Sequence, residues 1–354
     1  MSAARSRSKP TSPSRSSRFP ELGWWGPPLA GSGSLFLKGV STGLIELGSN
    51  SFRVLVTSDA GDEILRRSEH LHLAAKVAVH GFLERDDIVR ASRTTVEFVR
   101  LANDYGCIDI DIVASEVFRL AGNGRPALEH IAKQAGHSIH LLSGDEEALL
   151  AWRGATAALP VSSTCTVADL GGGSLNLASG PTFDLTPEIM STHRVGVSLL
   201  ASLAQEGDLF SSAARVRLEH HVNQQLRADA ANHAGRPVVL VGGWARTLAQ
   251  LVHTARRGQV PDSVHGLSLD TADLGHIIAR VSGLSSAARL AMPGMKHRRA
   301  KYLPVAATVL RQVMRSLDAS SAQVSVAGLR DGATRSRPTT HRRESHGTVA
   351  GTAA

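Results

Sequence analysis

With 354 residues and 42% hydrophobic content, the chain can bury two cores, and no apolar run approaches the ~20 residues of a membrane span. Its two cysteines, Cys107 and Cys165, form no CxxC pair, which excludes a disulfide framework and a thiolate zinc site and suits a reducing, cytoplasmic setting. The net charge of +8 and pI near 10.1 point to anionic partners, although much of the excess lies in the two ends.

Residues 1–34 open on MSAARSRSKPTSPSRSSRFP, which is basic, rich in Ser and Pro and free of acids. Such a segment cannot build a core and reads as a disordered extension, as does the tail 333–354. Between them the pattern is α/β. Strands are predicted at Gly43–Leu47, Phe52–Thr57 and around Glu63–His70. A helical face follows over Asp86–Tyr105, with Ile88, Ala91, Thr95, Val99 and Ala102 on one side. IDIDIVAS (Ile108–Ser115) alternates as a strand, Arg125–Ala135 reads as a helix, and SIHLLSG is a further strand. DEEALLAWRGATAAL is a helix with acids in its first turn.

The second half restarts the theme. TCTVADLGGGSLNLAS (Thr164–Ser179) is strand, glycine turn, strand. A helix is predicted over Ser212–Ala230, a buried strand running into a helix over Pro237–Val252, and helices over Thr271–Arg280 and Arg299–Leu317. AQVSVAGLRDG (Ala322–Gly332) reads as a last strand and turn. Two related halves, 35–160 and 161–332, predict a duplicated α/β fold with a cleft between two domains.

Two hairpins of one type stand out: ELGSNS (Glu46–Ser51) and DLGGGS (Asp169–Ser174). Each runs acid, apolar residue, Gly, then small residues. Glycines let a backbone approach an anion and aim successive N–H groups at it, and an acid at the strand end can hold a hydrated cation. The cluster KHRRAK (Lys296–Lys301) suits either steering of a polyanion or a solvated helix start. The histidines show no ligand spacing.

LGSNSFRVLV, ASEVFRLAGNG, LLSGDEEALLAWRGA, ADLGGGSLNLA, VLVGGWARTLAQL and VSVAGLRDG together resemble the ordered motifs of the exopolyphosphatase/guanosine-pentaphosphate phosphohydrolase (Ppx/GppA) family, within the superfamily of actin, sugar kinases and acetate kinase. The resemblance runs from about Gly43 to Gly332 and covers the family's short form. It implies two actin-like (ribonuclease H-like) domains and Mg²⁺-dependent release of the terminal phosphate from inorganic polyphosphate, or of the 5′ γ-phosphate from guanosine pentaphosphate. On the family's pattern Gly48, Ser49, Asn50 and Ser51, with Gly171, Gly172, Gly173 and Ser174, would cradle phosphate oxygens. Arg119 would add a fixed charge, Glu147 would orient or deprotonate the attacking water, and Asp169 with Glu46 would hold Mg²⁺. A homodimer is common among relatives; no specific nucleic acid and no membrane are expected.

The chain departs from that pattern at several places. Glu46 stands for Asp, Leu175 and Asn176 stand for Thr and an acid, and Trp244 stands for a small residue. Val326 replaces an acid, and Asp331 stands for Glu. Trp244 either narrows the nucleotide side of the cleft or packs in the core. The thinned carboxylates leave two readings open: an active phosphohydrolase, and a weakened homologue that binds polyphosphate or an alarmone without turnover.

Overall fold

A computed structural model of the chain describes residues 41–161, 163–204 and 208–335. The basic extension and residues 336–354 of the expected tail lie outside these described residues. The first sheet contains β1 (Ser41–Leu47), β2 (Ser51–Thr57), β3 (Glu63–His70), β4 (Cys107–Ala114) and β5 (His140–Leu141), in the order β3-β2-β1-β4-β5. The second contains β6 (Thr164–Leu170), β7 (Leu175–Pro181), β8 (Ile189–His193), β9 (Val238–Val241), β10 (Ser268–Asp270) and β11 (Ser321–Val324), in the order β10-β11-β9-β6-β7-β8.

The same construction serves both. An antiparallel hairpin, β1/β2 or β6/β7, offers its first strand to a later strand that pairs with it in parallel, β4 on β1 and β9 on β6. Helices cover these central strands, so β1 and β6 read as apolar runs, buried along most of their length. Ile45, Leu47, Phe52, Val54 and Phe98 belong to the first core, and Leu170, Leu175, Leu240, Leu248 and Val305 to the second.

The helix Gly144–Ala158 ties the halves together. Its start is set by a capping box: Ser143 Oγ accepts from the Glu146 N–H at 3.1 Å, and Glu146 returns an oxygen to the Ser143 N–H at 2.7 Å. From there Ala148, Ala151, Trp152 and Ala155 pack on the second sheet, while Leu150 packs with Leu44, Val113 and Leu142 of the first half. The closing helix, Leu329–Arg335, lies against it. The last segment therefore ends in a helix, where a turn was expected, because Leu329 and Ala333 find an apolar seat beside Leu150.

Several other elements differ from the periodicity reading. The long helix expected over Arg299–Leu317 is broken into His297–Ala300 and Leu303–Ser316. Pro304 explains this: it lacks an N–H and would clash inside a helix, but suits the first turn, where it now sits. Short elements with little periodicity, among them Leu73–His80, Glu116–Leu120, β8, Val197–Ala204 and β10, were not expected. No helix among the described residues is long and apolar enough to cross a membrane.

The packing of the last helix on Gly144–Ala158 depends on bare backbone. A Cβ on Gly332 would lie 1.9 Å from the Leu150 carbonyl oxygen, and one on Gly154 would lie 2.1 Å from the Gly328 oxygen. Gly332→Ala should therefore lower stability by about 1–3 kcal/mol through overpacking. Gly275→Ala, in the helix Thr271–Ser282, meets nothing nearer than 3.6 Å and should raise stability by about 0.5–1 kcal/mol. Thermal denaturation of the two variants checks the contrast; equal midpoints would refute the account of this contact.

Candidate functional site

A cavity of about 180 Å³ lies between the two hairpin turns. The turns at Gly48–Asn50 and Gly171–Ser174 both face it, together with Gly242 and Gly243 after β9 and with Gly328 and Arg330 at the start of the last helix. In the first turn, the Asn50 carbonyl accepts the Leu71 and His72 N–H groups at 3.0 Å each, and the Ser49 carbonyl accepts from Ala74 at 2.8 Å. In the second turn, Gly171, Gly172 and Gly173 carbonyls accept from Val197, Ser198 and Gly196 at 3.1, 2.8 and 3.0 Å. The acceptors are thus tied back. The amides of Gly48, Ser49, Asn50, Gly172, Gly173 and Ser174 donate to no described residue, which leaves N–H donors on the wall of a cavity.

The turns are also in contact. Asn50 Nδ2 donates to Ser198 Oγ at 2.8 Å, and a Cβ on Gly172 would lie 2.2 Å from that same nitrogen. Only glycine allows the approach. Gly242 has φ +90°, in the left-handed region, and a side chain there would also collide with Asp169 Oδ1 at 2.6 Å.

Glu147, second acid of SGDEEA, is buried on the cavity wall. Its Oε1 accepts from Arg119 Nη1 at 2.7 Å and its Oε2 from Asn176 Nδ2 at 3.1 Å. Burial pushes the carboxyl up to about 7, against the Arg119 pair and the Asn176 bond, with the nearby Glu116 carboxyl adding to the rise. A group of this kind changes charge near neutral pH while being held in one orientation.

The structure gives Arg119 a different place from the one expected of a phosphate-binding arginine. It does not line the cavity; its Nη1 is engaged by Glu147 and by the Leu142 carbonyl. Glu46, expected beside Asp169 as a metal ligand, has both oxygens committed. Opposite it in the β1/β2 register stands Arg53, whose Nη1 donates to Oε1 at 2.9 Å and Oε2 at 3.1 Å, and Arg330 Nε lies 3.6 Å from Oε2. Burial raises the Glu46 carboxyl, but Arg53 and Arg330 outweigh it and hold it below the usual range.

Asp169 is the carboxylate left available. Among the described residues it makes no hydrogen bond or ion pair, and burial together with the Glu46 charge pushes it up to about 6. No cluster of three or more His, Cys, Asp or Glu side chains suited to a metal exists among the described residues. Mg²⁺ needs no such cage, since one or two carboxylates with substrate oxygens and water suffice. Asp169 fits that donor set; Glu46 stands behind it.

Two of the cavity's arginines, Arg53 and Arg246, escaped the sequence reading. Arg53, Arg246, Arg298, Arg299 and Arg330 line the cavity. Arg298 and Arg299 lie in KHRRAK, which starts the short helix His297–Ala300, and both side chains line the cavity. Arg53 could have been found as the cross-strand partner of Glu46, and Arg246 as a first-turn residue of the helix Gly242–Arg257. Burial, then Arg246, Arg298 and Arg53, press the Arg299 guanidinium down to about 9, and burial with Arg53 and Arg66 presses Arg330 to about 10 despite Glu46 and Asp331. Trp244 packs in the second core, as one of its two expectations had it. It also lines the cavity, with the Arg299 guanidinium 5.3 Å above its ring.

The sequence model of the Ppx/GppA phosphatase family matches residues 54–341. The chain is similar to exopolyphosphatase 1 of Mycobacterium leprae, 24% identical over 310 residues, which span 82% of this chain and 87% of that protein. Exopolyphosphatase 1 of Mycobacterium tuberculosis H37Rv is also 24% identical, over 82% and 86% of the two chains. Among solved structures, an exopolyphosphatase from Cytophaga hutchinsonii superposes with a TM-score of 0.75 at 20% identity, covering 82% of this chain and 96% of that one. The Aquifex aeolicus PPX-GPPA enzyme gives 0.71 at 22% identity, over 84% and 99%. The fold is the expected one: two actin-like α/β halves with a cleft between them.

The Asn176 contact carries a direct consequence. Asn176→Asp replaces a donor on Glu147 with a second carboxyl, so the pair's upper titration step should rise above about 7, by on the order of one unit. Carboxyl-carbon NMR titration reads it. An upper step unmoved or lowered would mean that Asn176 does not hold Glu147.

Proposed function

The chain belongs to the Ppx/GppA phosphatase family, and from that premise we propose that it is an exopolyphosphatase, removing terminal orthophosphate from inorganic polyphosphate. The observation that carries the reading is the pair of turns whose N–H groups face one cavity that five arginines line. A chain of phosphoryl groups offers many equivalent oxygens and no apolar part, and it matches a wall of amides and guanidiniums. Guanosine pentaphosphate is the lesser candidate, because the buried Trp244 with Arg299 stacked on it occupies wall that a nucleoside would need.

In this reading the terminal phosphoryl group sits between Gly48–Asn50 and Gly171–Ser174, where fixed N–H groups take up charge developing on its oxygens. Glu147 orients the attacking water and accepts its proton, and Arg119 and Asn176 keep the carboxylate aimed. Glu46 holds Arg53 and Arg330 in place, and these with Arg246 and Arg299 neutralise the bridging and distal oxygens. Mg²⁺ bound at Asp169 would supply charge neutralisation for the leaving phosphate oxygens. We place the activity in the cytoplasm, a setting in keeping with the buried free thiols Cys107 and Cys165.

Orthophosphate release from polyphosphate by the purified chain tests the proposal, with guanosine pentaphosphate and ATP as rival substrates and with Mg²⁺ or chelator. Release should depend on Mg²⁺ and fall by at least about 100-fold in Glu147→Gln. Because Glu147 must be ionised to accept a proton, kcat should decline as pH falls through about 7. Tight polyphosphate binding with no release above the Glu147→Gln background would transfer the chain to the second reading, a binding homologue, which the committed Glu46 oxygens favour.

A further inference from the structure

We infer that His70 and His72, together with Arg298, form a proton-accepting wall of the same cavity, on which the imidazoles bind oxygens of the polyanion as imidazolium groups. The inference rests on the polyphosphate reading and adds two binding residues and a proton to it.

The geometry begins at the first turn. His70 ends β3 opposite Ser51. Just beyond it, the consecutive N–H groups of Leu71 and His72 both donate to the Asn50 carbonyl. Aiming two successive amides at one acceptor requires a sharp bend, and His72 adopts φ 57°, ψ 35°. A non-glycine residue in that left-handed region is strained. The strained bend anchors the phosphate-facing turn, and it also sets the two imidazoles against each other, centroids 5.9 Å apart and planes 26° apart. Both residues line the cavity, as does Arg298. Neither imidazole makes a hydrogen bond or ion pair with a described residue, so their nitrogens have no assigned partner.

The charges around them explain how they would act. Burial, then Arg298, His72, Arg53 and Arg299, push His70 down to about 4. Burial, Arg298 and Arg90 lower His72 as well. The groups that shift the pair, Arg298, Arg53, Arg299 and Arg90, are all basic, so His70 is neutral near pH 6 and His72 is held below its usual range while no anion offsets these arginines. A phosphate chain reverses the sign of that field and favours the imidazolium forms. Binding then takes up protons, and affinity falls as pH rises.

Isothermal titration of inorganic polyphosphate into Glu147→Gln protein, which blocks turnover and removes one titrating carboxyl, reads the proton count when run near pH 6 in two buffers of different ionisation enthalpy. The expected uptake is about one proton, with affinity weakening about tenfold between pH 6 and 8. Adding His70→Gln and His72→Asn should abolish most of the uptake and leave the pH dependence within about threefold; Asn is chosen because it tolerates left-handed backbone. His70→Gln alone, which leaves the bend untouched, should remove part of the uptake. Unchanged uptake and unchanged pH dependence in the double substitution would overturn this inference while leaving the polyphosphate reading intact. Absence of binding by the Glu147→Gln parent would overturn both.

Discussion

The site depends on where the hairpin turns put their carbonyls. A turn's backbone offers donors and acceptors in equal number, and an anion is attracted only if the acceptors are occupied elsewhere. Here the segment after β3 takes the carbonyls of Ser49 and Asn50, and the residues opening the helix Val197–Ala204 take those of Gly171–Gly173. The same contacts bring the turns together, through Asn50 on Ser198 and the bare Gly172. Neither turn would present donors without competing acceptors as an isolated hairpin. Each does so because a later stretch of chain docks on its back.

This explains what could be read from the sequence and what could not. The hairpins, their strand-end acids and the helix carrying Glu147 were legible because each is local: alternation, glycine spacing and a capping sequence lie within a few residues. The duplication itself was legible from the repeated strand, turn, strand opening of each half. The docking segments were not legible. His72 bends against its intrinsic preference to satisfy Asn50, and Leu73–His80 and Val197–Ala204 are short helices with little periodicity to announce them. Among site residues, Glu147 and Asp169 emerged from their motifs, whereas Arg53, Arg246 and Arg298 depend on which face of a strand or helix meets the cleft. Arg119 shows the limit of motif reading. Its motif was recognised, but its guanidinium lies off the cavity wall and holds the Glu147 carboxylate at 2.7 Å instead of lining the cavity.

The departures at Glu46 and Asn176 form one pattern when set against the arginines. The longer Glu46 side chain reaches two guanidiniums, and Asn176 gives Glu147 a neutral donor where an acid would have repelled it. The balance moves toward fixed positive charge, and Arg299 and Arg330 are depressed first by burial and then by the neighbouring arginines.

Crowding of this sort is unfavourable until an anion arrives. The free energy released when a polyanion enters grows with the number of guanidiniums it can separate, so a long phosphate chain gains more than a single phosphate does. An uncharged group gains nothing and meets Trp244 capped by Arg299. On the proposed reading, a preference for a linear polyanion would follow from mutual repulsion within the protein as well as from contacts to the ligand. Glu147 stays outside this crowd: its own arginine partner lies off the cavity wall, so a substrate that neutralises the lining arginines leaves the Arg119–Glu147 pair, and with it the carboxylate's aim, in place.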